Sequence, residues 1–153
     1  MTDDLTQKLL SHQRWLDGYT DGAQADISGV DFTSEDLSSW DFRRIIARNC
    51  NFTSATMPAR MQGGNFAESI FQDAFMDRSA VEGADFTDCD LRGASMYYTV
   101  ILNNATITGA KFSDNVVLWM WARMMGLDFS GNAEVIQTTA AGLKTALAAI
   151  VAG

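Results

Sequence analysis

ADFTDCDLRGA, residues 84–94, is the stretch from which the fold can be read. Phe86 and Leu91 are its large apolar members, and each follows a small residue, Ala84 or Cys89, by two places. Ala94 opens the next copy, and Asp85 and Asp90 fill the slots between. A period of five matches neither the 3.6 of an α-helix nor the 2 of a flat strand. Internal repetition therefore decides the architecture.

Outward from this window the pattern runs from Ala23 to about Val117. The large positions are Ile27, Phe32, Leu37, Phe42, Ala47, Phe52 and Met57, then, after a one-residue deletion, Met61, Phe66, Phe71, Met76, Val81, Phe86, Leu91, Met96 and Ile101. A one-residue insertion follows, and Ile107, Phe112 and Val117 resume the series. The slot two places earlier is small in every copy from Cys50 to Ala110, Ala59 and Gly64 included.

The repeat resembles that of the pentapeptide-repeat family, whose consensus is A(D/N)LXX. The resemblance implies a β fold, a right-handed quadrilateral β-helix in which four pentapeptides make one coil. The large central residue and the small residue two before it then point inward, and the other three positions face solvent. Such a coil buries its apolar set only by stacking on the next. Every fourth repeat forms a ladder, such as Phe32, Phe52, Phe71, Leu91 and Phe112, or Leu37, Met57, Met76, Met96 and Val117. At the spacing of stacked strands, nineteen repeats make about five coils and a rod of about 23 Å. Three segments are expected: an N-terminal helical cap over 1–22, the solenoid over 23–118, and an apolar C-terminal segment with a helix over 119–153.

The chain has 153 residues, one proline, 47% hydrophobic content and a formal net charge of −8. That charge argues against nucleic acid or an anionic membrane surface as a direct ligand. Met1-Thr2-Asp3-Asp4 shows neither the basic nor the apolar region of a signal peptide. The apolar tail from Leu143 to Val151 is far short of the ~20 residues that span a bilayer. A cytoplasmic protein, or one assembled there into a particle, is expected. Cys50 and Cys89 share a ladder with Val30, Ser69 and Ala110, two coil steps apart or about 10 Å. That exceeds the ~7 Å reach of a disulfide, so both are expected free, buried and structural.

Residues 4–17 place Leu5, Leu9, His12 and Leu16 on one helical face. Asp3 and Asp4 precede them, suiting the positive end of the helix dipole, and Gly18 follows as a stop. The helix is expected to lie across the open end of the first coil, with His12 as a hydrogen-bonded residue rather than a base. LLSHQRWLDGYTDGAQADISGVDF, residues 9–32, is also similar to the preface of many short pentapeptide-repeat proteins of bacteria and phages.

Glu35, Trp40 and Ile45 are wrong for the small slot. A glutamate buried there without a partner costs several kcal/mol, so this part is expected to be distorted, open to water, or paired with Arg43 or Arg44. Trp40 with Arg43 to Arg48 is one candidate contact. A second is the outward face carrying Phe75, Tyr97, Tyr98, Leu118 and Trp119, which turns apolar toward the C-terminal end. NVVLWMWARMMG, residues 115–126, is apolar nearly all round and includes Trp119 and Trp121. From Asn132 the chain reads as a helix in which Ile136, Leu143 and Ile150 recur at seven, with Ala140 and Leu147 on a related face. Two readings of this tail stay open, a cap over the last coil or an interface with another copy, and the surplus of apolar surface favours self-association.

No catalytic constellation emerges: a single histidine, two buried cysteines, no phosphate-cradling glycine loop and no metal-ligand spacing. The expectation is a protein that is not an enzyme and uses no cofactor and no metal. One reading is an interaction scaffold or structural subunit, a homo-oligomer with protein partners, within a larger particle such as a phage virion. The other, implied by gyrase-protecting members of the family, is an acidic DNA mimic acting on a topoisomerase. Between Ala23 and Leu118 there are thirteen Asp or Glu and seven Lys or Arg, a net of −6. Spread over the rod, that is about one net charge per 4 Å, against one per about 1.7 Å for duplex DNA.

Overall fold

The computed structural model of the chain describes residues 1–96, 99 and 104–113. The chain divides into two compact units, Met1–Lys111 and Phe112–Gly153, and all described residues but the last two belong to the first. The expected C-terminal helix, Tyr97, Tyr98, Trp119, Trp121, Ile136, Leu143, Leu147 and Ile150 lie outside the described residues.

The chain begins with one helix, α1 (Asp3–Leu16). Its N-cap is Thr2, whose hydroxyl accepts from the Leu5 N–H at 3.4 Å, while Asp3 and Asp4 occupy the first turn. Leu5, Leu9 and His12 are its buried residues, one apolar stripe. The helix ends where the Asp17 N–H returns to the Gln13 carbonyl and Gly18 adopts φ +83°.

From Asp26 onward the chain forms stacked turns of parallel ladder. Asp31 pairs with Asn51, Asn51 with Ile70, and Ile70 with Asp90, steps of 20, 19 and 20 residues. Asp85 pairs with Thr106, a step of 21. The short step contains the deletion after Met57 and the long step the insertion after Ile101, so both irregularities are absorbed between turns without loss of register. Two ladder positions lengthen into short strands, β1 (Asp90–Leu91) and β2 (Lys111–Phe112), and the Lys111 N–H donates to the Cys89 carbonyl at 2.8 Å.

Each repeat turns a corner just after its central residue. In most repeats the N–H three places on closes onto the central carbonyl, as from Val30 to Ile27 and from Ala74 to Phe71, whereas at Ala47 the Cys50 N–H donates to the Ser69 hydroxyl instead. The residue two places after the centre takes a left-handed φ, from 54° at Asn49 to 78° at Gly93. The corners after Leu37 and Met57 lack this feature at Ser39 and Ala59.

All fifteen central residues from Ile27 to Met96 are buried. Phe52 stacks between Phe32 and Phe71, with centroids 5.2 and 4.8 Å apart, and Phe66 stacks on Phe86 at 5.3 Å. The two stacks meet edge to face, Phe66 standing 5.8 Å from Phe71. The expected Phe32–Phe52–Phe71 ladder is thus a continuous aromatic column. Ile107 and Phe112 are only half-buried.

The inward pattern is broken at several positions, of which three bear on the site. The repeat assigns Ala59 to the small inward slot, but it is exposed and Pro58 is buried instead, because the deletion falls in this corner. Glu35 is half-exposed and pairs with the Met1 amino group at 3.2 Å, not with Arg43 or Arg44. Asp41, in a slot expected to face solvent, is buried.

The small slot has a polar use that its size alone does not reveal. The Cys50 thiol donates to the Ile27 carbonyl at 3.2 Å, and the Cys89 thiol to the Phe66 carbonyl at 2.9 Å. Thr99 and Ser79 make the same kind of bond, to the Met76 and Pro58 carbonyls. Ser69 goes further: its hydroxyl donates to the Ala47 carbonyl and accepts from the Cys50 N–H, each at 2.9 Å, and so bridges that corner. Ser69→Ala leaves both buried backbone groups without this partner and is expected to cost about 1–3 kcal/mol, measured by denaturant unfolding.

Candidate functional site

The chemically able side chains are largely engaged in holding the fold. His12 is fully buried where α1 meets the first turn. Its Nδ1 accepts from the Ala25 N–H at 3.1 Å, which places the proton on Nε2, and Nε2–H donates to the Arg43 carbonyl at 3.0 Å. Trp15 stacks on the ring at 5.5 Å, and the Arg44 guanidinium lies 4.5 Å from the centre of the Trp15 ring. Both ring nitrogens are committed to backbone, so the imidazole joins helix to solenoid.

Burial holds the His12 pKa below its ordinary value, against the opposing pull of the Arg43 carbonyl and Asp41. Because the folded pKa is depressed, the unfolded chain binds the proton first as pH falls below about 6.5. Stability present above that pH is lost below it, by at most about 1.4 kcal/mol per pH unit. His12→Gln, whose amide offers both a donor and an acceptor, is expected to flatten the dependence of melting temperature on pH across the acidic side of neutrality.

The acidic side chains are similarly committed. The aspartate or asparagine before each central residue accepts from the N–H two places on: Asp26 from Ser28, Asp31 from Thr33, Asp36 from Ser38, Asn51 from Thr53 and Asp85 from Thr87. Asp26, Asp31 and Asp36 are held below the usual carboxylate range, chiefly by the hydroxyls of Ser28, Thr33 and Ser38 and then by the N–H groups of the same residues. Asp90 is held well below it, chiefly by the Arg92 guanidinium. A carboxylate so held is a poor proton donor or acceptor near neutral pH. The thiols shift the other way: burial raises Cys50 and pushes Cys89 up to about 12. Both cysteines are free and buried. Among the described residues no group of three or more His, Cys, Asp or Glu is placed to hold a metal ion.

One charged cluster stands out. Asp41 accepts from Arg43 at 2.7 Å and pairs with Arg60 at 3.2 Å. Burial raises its pKa, but hydrogen bonds and charge from the two arginines outweigh this and the net shift is downward. The arginine side chains remain 38% and 58% exposed, so one buried carboxylate orients two guanidinium groups at the surface. The sequence identifies Arg43 but not its partner, because Asp41 occupies an ordinary outward repeat slot. Arg60 is hidden by the deletion, which shortens the step between turns. The Phe42 N–H donates to the Arg60 carbonyl, eighteen residues on, whereas Phe32 and Leu37 reach nineteen on to Asn51 and Thr56.

Of the candidate contact residues, Trp40, Arg43, Arg44, Arg48 and Phe75 fall among the described residues; Trp40 is half-buried, and its backbone N–H closes the corner onto Leu37. Phe75 is 56% exposed, and Ile70, one repeat earlier, is 41% exposed. Ile70 occupies the slot that holds Asp31 and Asn51 in earlier turns, so this turn shows solvent an apolar side chain where others show a polar one.

Stacked turns of parallel ladder, cornered every five residues around an apolar column, define a solenoid repeat protein. Residues 76–114 match the family model of pentapeptide repeats in 8 copies, so this stretch of the chain carries pentapeptide repeats. HetL, a pentapeptide repeat protein involved in heterocyst differentiation regulation from the cyanobacterium Nostoc sp. strain PCC 7120, is similar at 23% identity and a TM-score of 0.51, over 56% of this chain and 39% of HetL. Rfr23 from the cyanobacterium Cyanothece 51142 is similar at 19% identity and a TM-score of 0.46, over 59% of this chain and 58% of Rfr23. The chain thus spans less than two thirds of the length of either. The fold is a right-handed β-helix. No curated protein matches the chain.

Proposed function

We propose that the protein is a non-enzymatic scaffold that presents rigid faces to protein partners and self-associates through its C-terminal segment. The observation that carries this reading is the commitment of His12, the two thiols and the repeat aspartates to backbone hydrogen bonds. What remains for function is the shape and the outward side chains. The helix α1 acts as the N-terminal cap of about five coils, and Trp40 with the exposed arginines forms one contact surface. Tyr97, Tyr98, Trp119, Trp121, Ile136, Leu143, Leu147 and Ile150 belong to the self-association element. A cytoplasmic setting, or incorporation into a particle such as a phage virion, suits such a subunit.

The test is absolute mass in solution for the full chain and for a truncation ending at Gly131. An oligomer that becomes monomeric on truncation is expected. A monomer in both forms at micromolar concentration overturns self-association.

The alternative, an acidic mimic of DNA acting on gyrase, is supported by the net charge of the repeat region and opposed by how that charge is arranged. Along one ladder Asp26 is followed by Ile46 and Asn65 before Asp85, and along another Asp31 by Asn51 and Ile70 before Asp90. Carboxylates in these columns are about 14 Å apart at the spacing of stacked strands, too sparse for a phosphate backbone. Unchanged gyrase supercoiling at micromolar protein is the expected result.

A further inference from the structure

The first turn of the solenoid has an open strand edge, and α1 completes only part of it. His12 takes the Ala25 N–H and the Arg43 carbonyl, and the Gln24 side chain takes the Arg44 carbonyl. Between Asp31 and Thr33 the edge is left without partners among the described residues. The groups concerned are identified by their equivalents one turn on. The Asn51 N–H donates to the Val30 carbonyl, the Asn51 carbonyl accepts from Phe32, and the Thr53 carbonyl accepts from Ser34. The Asp31 N–H, Asp31 carbonyl and Thr33 carbonyl occupy the same places with no turn beyond them among the described residues. They are two acceptors and one donor, the set through which the next turn is held.

This edge borders an open groove of about 550 Å³ between the first turns of α1 and the Asp26–Glu35 segment. Asp4, Asp26, Asp31 and Glu35 line it, against Lys8 and the Met1 amino group. Asp26 and Asp31 are exposed, and their carboxylates accept hydrogen bonds from within their own repeats. Phe32 and Ile27 are already covered, so the groove offers backbone and charge rather than an apolar pocket.

We propose that this groove takes an extended basic segment of a partner protein, which adds one parallel strand to Asp31–Thr33. Main-chain hydrogen bonds supply the attachment, as in strand addition generally, and the surplus of carboxylates selects lysine or arginine on the added strand. A second copy of this chain, at a net charge of −8, lacks that complementarity. The inference rests on the scaffold reading and names one class of partner for it.

The test uses the full chain and a labelled peptide of about ten residues alternating lysine and valine, long enough to cover the edge, at low ionic strength. Saturable binding is expected, with amide exchange at Asp31 slowed at least tenfold while exchange at Asn51, already bonded, is unchanged. The same peptide N-methylated at alternate residues is expected to bind at least tenfold more weakly. The variant Asp4→Asn, Asp31→Asn, Glu35→Gln is expected to bind at least fivefold more weakly, and it should stay folded, since an asparagine amide oxygen keeps the acceptor for the Thr33 N–H. Equal binding of the N-methylated peptide, equal binding of a glutamate-for-lysine peptide, or an unchanged Asp31 amide overturns the proposal. Mass measured in the same samples separates the two readings: loss of peptide binding with the oligomer intact removes this site alone, and a monomer that also binds no peptide removes the scaffold reading.

Discussion

Phe66→Ala is expected to destabilise the solenoid by about 3–5 kcal/mol, a large part of the stability of a domain this size. Phe66 is fully buried, stacks on Phe86, and meets Phe52 and Phe71 edge to face at 6.3 and 5.8 Å. Its removal opens a cavity where the two aromatic columns join, and each neighbouring ring is itself held by stacking, so little collapse can fill the space. The effect should also travel along the stack, because each turn buries its apolar set only against its neighbours. Denaturant unfolding measures it, with Phe75→Ala as the control. Phe75 is 56% exposed, and its truncation is expected to change stability by no more than about 0.5 kcal/mol. Equal effects from the two substitutions would show that the columns are not the core.

Gly22→Ala is expected to displace α1 from the solenoid. A β-carbon at residue 22 collides with the backbone nitrogen of Trp15 and lies 2.6 Å from the Arg14 carbonyl carbon and the Trp15 α-carbon. These are backbone atoms inside a helix, and no rotamer change relieves them. Overpacking of this kind costs about 1–3 kcal/mol. Its consequence is local: the Ala25 N–H loses His12, and Leu5 and Leu9 lose their cover. Amide exchange at Ala25 should accelerate while Phe71, deeper in the stack, stays protected. Unchanged exchange at Ala25 would show that the helix can shift to admit the methyl group.

Several features of the site are legible because they depend on side-chain identity at a fixed interval. The central ladder, the inward thiols and the helical stripe of Leu5, Leu9 and His12 all follow from spacing. Other features depend on which groups meet across turns, and spacing does not report that. By interval alone Ser69 is one more small residue, yet its hydroxyl bridges Ala47 and Cys50 of the neighbouring turn. By the same measure Asp41 is an outward aspartate, yet it is buried between Arg43 and Arg60. Glu35 lies near two arginines in sequence, but the Met1 amino group reaches it in space.

By itself the sequence determined the repeat, its period and its register, because a five-residue alternation of large and small side chains can be buried only by stacking turn on turn. Only the tertiary structure decided where each turn's polar groups find partners. Those partners lie 18 to 23 residues away, at a distance set by how each corner absorbs its insertion or deletion. The open edge at Asp31 belongs to this second kind of knowledge. It exists because the backbone hydrogen bonds that His12 of α1 makes to the first turn are to Ala25 and Arg43, which depends on the docking of a helix and not on any residue of the edge itself.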